Sequence, residues 1–168
     1  MIGTSSGPGP GRPTSGRRIV VDAGQIRVAL HLEPRLESAM TARRAVHEAL
    51  GRYLSLQLVE EAVLLTSEIV TNAIMHTGRG CELQLSFDPG LGILRVEVSD
   101  RSRLRPLQLD ALDCNRLGGR GLQIVAAMAT QWGTFPIDGG KIVWFELADG
   151  ARSSAASADR RRATSDLD

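Results

Sequence analysis

The sequence predicts an α/β (α+β) two-layer sandwich, in which a mostly antiparallel mixed sheet is covered on one face by three helices. Three observations lead to this prediction. Apolar residues alternate with polar ones in several short stretches, which is typical of half-buried strands. Apolar residues recur at helical spacing in the longer stretches between them. Turn residues at 88–90 and 138–140 join neighbouring strands as hairpins, which gives the order β-α-α-β-β-α-β-β.

Length and composition fit one domain with a tail at each end. The chain has 168 residues, of which 42% are hydrophobic, enough to bury a core. Residues 1–18 are dominated by Gly, Pro, Ser, Thr and Arg, and residues 149–168 by Ala, Ser, Asp and Arg. Such segments bury too little apolar area to offset the entropy lost on ordering. We therefore predict disordered tails at 1–18 and 149–168 and a folded domain at 19–148.

The charge balance and the apolar runs exclude several classes of partner. The 20 Lys+Arg and 19 Asp+Glu residues give a net charge of +1, which provides no overall attraction to nucleic acid or to an acidic membrane. No apolar run approaches the roughly 20 residues of a membrane span, and residues 1–18 lack the apolar core of a signal peptide. Cys81 and Cys114 are too few for a disulfide framework. We expect a cytoplasmic protein without direct nucleic-acid or membrane partners.

The first half of the domain is predicted to contain one strand and two helices. The strand covers residues 26–32, where every second residue is apolar. The first helix runs from about Leu36 to Leu50. The second helix starts after a Ser55 cap and runs through Thr77, because apolar residues recur there at helical spacing and Gly78 can end it.

The second half is predicted to contain two hairpins and a third helix. The first hairpin consists of the strands Glu82–Phe87 and Ile93–Asp100. The third helix runs from Gly121 to about Thr130, and the second hairpin consists of Gln131–Pro136 and Lys141–Leu147.

A connection without periodicity separates Asp100 from Gly118. A structureless stretch of 17 residues inside a compact domain is usually a functional lid. Arginines flank or occupy it and could neutralise a triphosphate, although arginines in a loop are more often simply solvated. These arginines are Arg101, Arg103, Arg105, Arg116 and Arg120.

The second helix presents a carboxylate, an amide and an imidazole on one stripe. Glu68, Asn72 and His76 are four residues apart, so they project from the same side. Asn is a poor residue for the middle of a helix because its side chain competes for backbone hydrogen bonds, and a hydrated metal ion would be a suitable partner for it. The alternative is that Glu68 and Asn72 belong to a solvated face and that His76 complements the helix dipole.

Asp100 is expected to point toward the apolar face of its strand. Counting by twos from Leu94 through Val96 and Val98 places its carboxylate on that face, at the end of the strand. A buried carboxylate needs a hydrogen-bond donor, which a ligand amino group could supply. The alternative is that the strand ends earlier and that Asp100 caps the loop through an Asx-turn.

The turn Gly118-Gly119-Arg120-Gly121 opens directly into the third helix. Free backbone N–H groups and the helix dipole at such a position suit a phosphate group, and glycines allow the backbone to approach closely. The alternative is that these glycines serve only the turn.

Taken together, these segments resemble the GHKL (Bergerat-fold) ATPase superfamily. They are most similar to its branch of small serine-protein kinases that act as anti-sigma factors in partner-switching systems. Residues 68–76 resemble the N-box of that family, Val98–Asp100 the start of the first glycine box and Gly119–Leu122 the second, and the segment 140–145 resembles the last strand. The resemblance covers about residues 26–148.

The resemblance implies a role for each matching residue. Glu68 would be the general base toward an incoming hydroxyl, and Asn72 would help to hold the Mg²⁺ that accompanies ATP. Asp100 would bind the adenine amino group. Gly119 and Gly121, with their neighbours Arg120 and Leu122, would surround the phosphates. In this branch the γ-phosphoryl group passes to a serine of a small anti-anti-sigma (STAS-type) protein, chiefly by positioning and charge neutralisation.

Two departures from the family pattern bear on activity. Where the superfamily has Asp-x-Gly-x-Gly, this chain has Asp100-Arg101-Ser102-Arg103-Leu104, without either glycine. Ile142 stands where relatives commonly have a threonine near the adenine. The expected consequences are altered backbone approach to the nucleotide and the loss of one polar contact.

The sequence therefore predicts an ATP- and Mg²⁺-dependent serine-protein kinase that also sequesters a sigma factor. The alternative is a nucleotide-binding interaction module with little or no kinase activity. A histidine-kinase catalytic domain is disfavoured because no dimerisation helix pair or phosphoacceptor segment precedes the domain in this sequence. Related anti-sigma kinases are commonly dimers, so the resemblance also implies a homodimer.

Overall fold

The computed structural model describes residues 17–22, 24–35, 37–101 and 119–150. All of the predicted lid except Arg101 lies outside these residues, and so does Gly118. Ser102, Cys114 and the arginines at 103, 105 and 116 are among the lid residues outside the described part. Most of both predicted tails also lies outside them.

Six strands form one sheet in the described part of the chain. They are β1 (Arg17–Asp22), β2 (Gln25–Leu32), β3 (Cys81–Asp88), β4 (Ile93–Asp100), β5 (Gln131–Ile137) and β6 (Gly140–Ala148). Their order across the sheet is β1-β2-β3-β4-β6-β5, and all five described pairings are antiparallel. The exchange of β5 and β6 in this order places the start of β6 beside the end of β4.

Within the described residues, three helices accompany the sheet: α1 (Glu37–Leu50), α2 (Leu56–Thr77) and α3 (Gly119–Met128). The predicted ends of α2 are confirmed. The Ser55 hydroxyl accepts a hydrogen bond from the backbone N–H of Leu58, and Gly78 adopts the left-handed conformation with φ of 60°. These local signals fix the register of α2 and therefore the side to which Glu68 and Asn72 point.

The helices and the sheet enclose one apolar core. Strands β2, β3 and β4 bury every second residue, and the buried side chains face α1 and α2. Phe87, Phe145 and Leu65 are among the largest of the fully buried side chains. The predicted two-layer α+β sandwich is thus confirmed, with helices on one face of an antiparallel sheet.

Strand β1 is an element that the periodicity did not predict. Its apolar residues Ile19, Val20 and Val21 are consecutive rather than alternating, and its first two residues fall within the predicted tail. Ile19 and Val20 stay 47% and 38% exposed at the edge of the sheet. Backbone pairing with β2 therefore defines this strand more than burial does.

The remaining boundaries agree with the predictions to within two residues. The difference that bears on function is at α3, which begins at Gly119 rather than at Gly121. The glycines at 119 and 121 consequently belong to the first helical turn. In the described residues, no helix is both long and apolar enough to cross a membrane.

Candidate functional site

A small cleft lies where α2, α3 and the adjoining ends of β4 and β6 meet. Its volume is about 20 Å³. Its lining residues are Ile69, Asn72, Ala73, His76, Asp100, Leu122, Lys141 and Val143. The two walls β4 and α3 are joined along the chain by residues 102–118, which lie outside the described part. The described residues therefore form only part of the boundary of this site.

Asp100 is the buried charged residue of the cleft. Its exposure is 2%, and β4 extends through it, so the alternative that the strand ends earlier is wrong. Cys81 lies directly opposite Asp100 in the neighbouring strand β3. Burial, and then the charge of Asp100, raise the pKa of the Cys81 thiol to about 12. The end of β4 therefore places a negative charge in a largely dehydrated environment.

Lys141 is a member of this site that sequence reasoning missed. It pairs in register with Asp100 across β4 and β6, and its Nζ atom lies 3.7 Å from Asp100 Oδ2. A lysine at the start of a strand next to a turn is normally a solvated residue, so its local pattern gave no signal. The neighbourhood follows only from the pairing of β4 with β6, which are 40 residues apart from Asp100 to Gly140.

Gly140 allows β6 to approach the end of β4 this closely. A Cβ atom at position 140 would collide with the backbone carbonyl oxygen of Asp100. A side chain at this position would push the two strands apart. Gly140 thus keeps Lys141 and Asp100 side by side.

The stripe of α2 meets the first turn of α3 at the other side of the cleft. A Cβ atom at Gly121 would lie 2.6 Å from Glu68 Oε2 and 3.6 Å from Asn72 Nδ2. Only a residue without a side chain fits there without moving the carboxylate of Glu68. The structure thus brings together three of the sequence-predicted residues, Glu68, Asn72 and Gly121.

The start of α3 can receive an anionic group. The first N–H groups of a helix have no partners within it, and the helix dipole favours a negative charge there. This first turn consists of Gly119, Arg120 and Gly121. Arg120 is exposed, and the next residue, Leu122, lines the cleft. A turn was predicted at 118–121. The three described residues, 119–121, instead form the start of α3.

The other two residues singled out in the sequence have different positions. His76 lines the cleft on its exposed side, four residues beyond Asn72. Ile142 does not line it, because strand alternation turns its side chain to the opposite face from Lys141 and Val143. The expected loss of a polar contact at Ile142 therefore has no basis in this geometry.

The donor set fits a magnesium ion that arrives with a nucleotide. The described residues contain no group of three or more His, Cys, Asp or Glu side chains arranged to hold a metal by themselves. Mg²⁺ is commonly bound through one or two protein oxygens together with substrate phosphates. The Asn72 amide, with the Glu68 carboxylate one helical turn before it, can provide such oxygens.

Comparisons with known proteins agree with this fold. Residues 32–147 match the family model described as histidine kinase-like ATPase domain. A crystal structure of the RsbU and RsbW domains of a Mycobacterium tuberculosis protein is similar, with a TM-score of 0.55 and 20% sequence identity. The match covers 71% of this chain and 32% of that one, so this chain spans about a third of that protein's length. No match was found among curated protein sequences.

The family match includes α1, α2 and α3, strands β3, β4 and β5, and nearly all of β6. It therefore contains every residue of the cleft and both residues, Glu68 and Gly121, that meet beside it. More than half of the chain is matched. The chain accordingly belongs to the histidine kinase-like ATPase domain family.

Proposed function

We propose that this chain is an ATP- and Mg²⁺-dependent serine-protein kinase that also acts as an anti-sigma factor in the cytoplasm. Its substrate would be an anti-anti-sigma protein of the STAS type, and its second partner a sigma factor. Phosphorylation of the first partner would decide which of the two it holds. The family match supports the ATPase domain, and the similarity to a structure with an RsbW domain motivates the choice of partners.

The observation that carries the proposal is the close approach of Gly121 to Glu68 and Asn72. It places a carboxylate and an amide against the start of a helix. A phosphate chain at the first turn of α3 would therefore lie beside a group that can accept a proton and a group that can hold a metal ion. Phosphoryl transfer needs chiefly this kind of positioning.

Each residue has a defined task in this mechanism. Glu68 accepts the proton of the serine hydroxyl as that oxygen attacks the γ-phosphorus, and the bond from the γ-phosphorus to the bridging oxygen breaks to release ADP. Asn72 would supply an oxygen ligand for Mg²⁺, which would neutralise phosphate charge. Asp100 accepts a hydrogen bond from the amino group of adenine. Gly119 and Gly121 offer backbone N–H groups to the phosphates, and Arg120 and Leu122 flank them.

The first test is thermal and chemical unfolding with and without Mg·ATP. At a nucleotide concentration of about one hundred times Kd, binding should add about 2.7 kcal/mol to the free energy of unfolding. Asn72→Ala should lose this gain because it removes the metal ligand. The matched control is Thr71→Ala, an exposed neighbour on the same helix that does not line the cleft. Equal stabilisation of wild type and Asn72→Ala would contradict the proposed site.

The second test measures transfer. Purified STAS-domain proteins of the source organism are incubated with the wild-type protein and radiolabelled ATP, and the phosphorylated residue is identified by mass spectrometry. Glu68→Gln should bind Mg·ATP normally but transfer roughly 10²–10⁴ times more slowly, since it lacks the general base. Transfer to a histidine of this chain instead of a serine of the partner would contradict the kinase assignment.

A second candidate function is a nucleotide-binding interaction module with little or no kinase activity. One observation favours it: both glycines of the first glycine box are replaced in the segment after Asp100. Stabilisation by Mg·ATP without transfer to any STAS-domain protein would support this function over the first.

A further inference from the structure

Strand β1 forms one edge of the sheet. In the described part of the chain it pairs only with β2, so the backbone N–H and C=O groups on its other side have no strand to pair with. Ile19 and Val20 are 47% and 38% exposed at this edge. An unpaired apolar edge is a template for pairing with another chain. The free edge of β1 is therefore a candidate contact surface.

The opposite edge of the sheet is protected against such pairing. Its strand β5 contains Pro136, which lacks a backbone N–H, and Gly133, a residue type that weakens a strand. Strand β1 contains neither proline nor glycine. Of the two edges, β1 is therefore the one that can accept a second strand along its whole length.

A second copy of this chain is a suitable partner for β1 by symmetry. A two-fold axis perpendicular to the sheet makes two copies of β1 antiparallel and keeps the helix-covered faces of both sheets on the same side. Neighbours along a strand point to opposite faces, so residues that oppose each other across the axis must both have odd or both have even numbers. This condition leaves only a few registers for the six residues of β1.

One of these registers matches both the apolar residues and the charges. With the axis at Val20, Ile19 lies opposite Val21 of the partner subunit, and Arg18 lies opposite Asp22 of the partner subunit. The symmetry produces each of these pairs twice, and opposite charges at opposed positions stabilise an antiparallel pairing. With the axis at Ile19, Arg18 would lie opposite a valine. With the axis at Val21, Asp22 would lie opposite a valine.

The pairing of β1 with β2 does not account for these two charges. Arg18 lies opposite Ala29, and Asp22 lies opposite Gln25, in the β1–β2 register. Neither charge is set against an opposite charge at the opposed position of β2. Pairing of β1 with a second copy of itself, by contrast, gives both charges a counterpart.

We propose that two copies of this chain pair through β1 in antiparallel orientation, with the two-fold axis at Val20, to form one twelve-stranded sheet. The family resemblance implies a homodimer, and the proposal goes further by assigning its edge, its register and its residue pairs. It concerns the assembly of the fold and does not depend on the proposed function. Six residues from each copy give a small interface, so the dimer should dissociate on dilution.

This pairing would place the two candidate nucleotide clefts far apart. Strand β4, which carries Asp100, is the fourth strand from this edge. Seven strand spacings of about 4.8 Å, or roughly 34 Å along the sheet, would separate β4 from its copy. We therefore expect the affinity for Mg·ATP to be the same in the monomer and in the dimer. Binding of Mg·ATP by a wild-type protein that never dimerises would overturn this inference and leave the proposed function standing.

The first test is sedimentation equilibrium over a range of protein concentrations. The mass of the wild-type protein should rise from 18.1 kDa toward twice that value as the concentration increases. Val20→Lys should weaken the dimer about tenfold, because two like charges would be opposed at the axis. Phe135→Lys is the matched control on the protected edge, where Phe135 is 37% exposed, and it should leave the dimer unchanged. A monomeric wild-type protein, or equal effects of the two variants, would overturn the proposal.

Exchanging the two charges tests the register. Arg18→Asp and Asp22→Arg should each weaken the dimer, because each places like charges at two pairs of opposed positions. The double variant restores opposite charges and should recover the wild-type dimer. Urea denaturation checks that the monomers stay folded, as expected from the uncharged residues opposite both positions on β2. A double variant that dimerises no better than the single variants would overturn the proposed register.

Disulfide cross-linking gives a second readout of the register. In a chain whose two native cysteines are replaced by valine, Val20→Cys should form a disulfide with its own copy. Opposed Cα atoms in an antiparallel ladder are about 4.5–5.5 Å apart, which suits this bond. Arg18→Cys should not cross-link, because its copy would lie four residues away along the strand, or about 13 Å. Cross-linking at position 18 but not at position 20 would overturn the proposed register.

Discussion

Each face of the sheet has a depression: a large groove on one face and a small cleft on the other. The groove on the face without helices has a volume of about 590 Å³, whereas the cleft at the junction of α2, α3 and the sheet has about 20 Å³. In the large groove, Arg95 donates to Glu97 at 2.6 Å and to Glu146 at 2.8 Å, and its guanidinium stacks on Trp144 at 4.1 Å. The charges of Arg95, Glu97 and Glu146 are therefore paired with each other.

In the small cleft the polar groups have a different arrangement. The Asp100 carboxylate, the Lys141 ammonium group and the Asn72 amide line this cleft, and the start of α3 lies beside it. Of the predicted site residues, Asn72, Asp100 and Leu122 line this cleft, and none lines the larger groove. The difference teaches that convergence of polar groups, rather than open volume, locates the candidate site in this fold.

The largest expected effect concerns the wall of the cleft itself. Gly140→Ala should lower the free energy of unfolding by about 3 kcal/mol, because its Cβ meets a backbone carbonyl that cannot rotate away. Gly139→Ala is the matched control. Its Cβ would meet no atom within 4 Å, and its φ of 72° should cost about 1 kcal/mol. Urea denaturation of both variants measures the two losses, and equal losses would refute the close approach of β6 to Asp100.

The next prediction compares two Gly→Ala variants, one expected to reduce phosphoryl transfer and the other expected to reduce only stability. Gly121→Ala displaces the flexible end of Glu68, so we expect at least a hundredfold slower phosphoryl transfer with less than about 1 kcal/mol lost in stability. Gly133→Ala, on the open face, would approach the ring of Trp144 at 3.0 Å. It should cost a similar amount of stability and leave transfer unchanged. Transfer assays and urea denaturation of both variants test this contrast, which fails if the two variants lose activity equally.

A third prediction concerns the Cys81 thiol, whose pKa is raised chiefly by burial and then by the charge of Asp100. The pKa of the Cys81 thiol is about 12 in the folded chain against 9.0 for an unperturbed thiol. The unfolded chain therefore releases this proton first, so stability falls as pH rises above 9. Between pH 8 and pH 10 the loss should be about 1.4 kcal/mol, and it should vanish in Cys81→Val.

The measurement is urea denaturation at both pH values under reducing conditions. Taking the difference between variants cancels the titration of all other groups. Cys114→Val serves as the control and should show the full loss. A loss that persists in Cys81→Val would mean that another group causes it, and that the environment of Asp100 does not suppress ionisation of the thiol.

The parts of the fold that could be predicted from sequence are those set by local signals. Ser55 and Gly78 define α2 because a cap acts on the backbone next to it. The burial of Asp100 followed from counting by twos along a single strand. Each inference needed only a few neighbouring residues.

The parts that could not be predicted depend on contacts between distant segments. The proximity of Lys141 to Asp100 requires the β4–β6 register, and that of Gly121 to Glu68 requires the packing of α3 on α2. Strand β1 is stabilised by pairing rather than by an alternating pattern. These contacts arise from the topology of the fold, and they cannot be predicted from the propensities of the individual residues.

The smallest expected effect tests the large groove directly. Arg95→Met removes two partly exposed ion pairs and one cation–π contact, which should cost about 1 kcal/mol of stability in total. The affinity for Mg·ATP should stay within twofold of wild type, because no residue of this cluster lines the cleft. Calorimetric titration measures the affinity and urea denaturation the stability. A tenfold weaker nucleotide complex in Arg95→Met would instead place the nucleotide on the open face, where volume alone would have placed it.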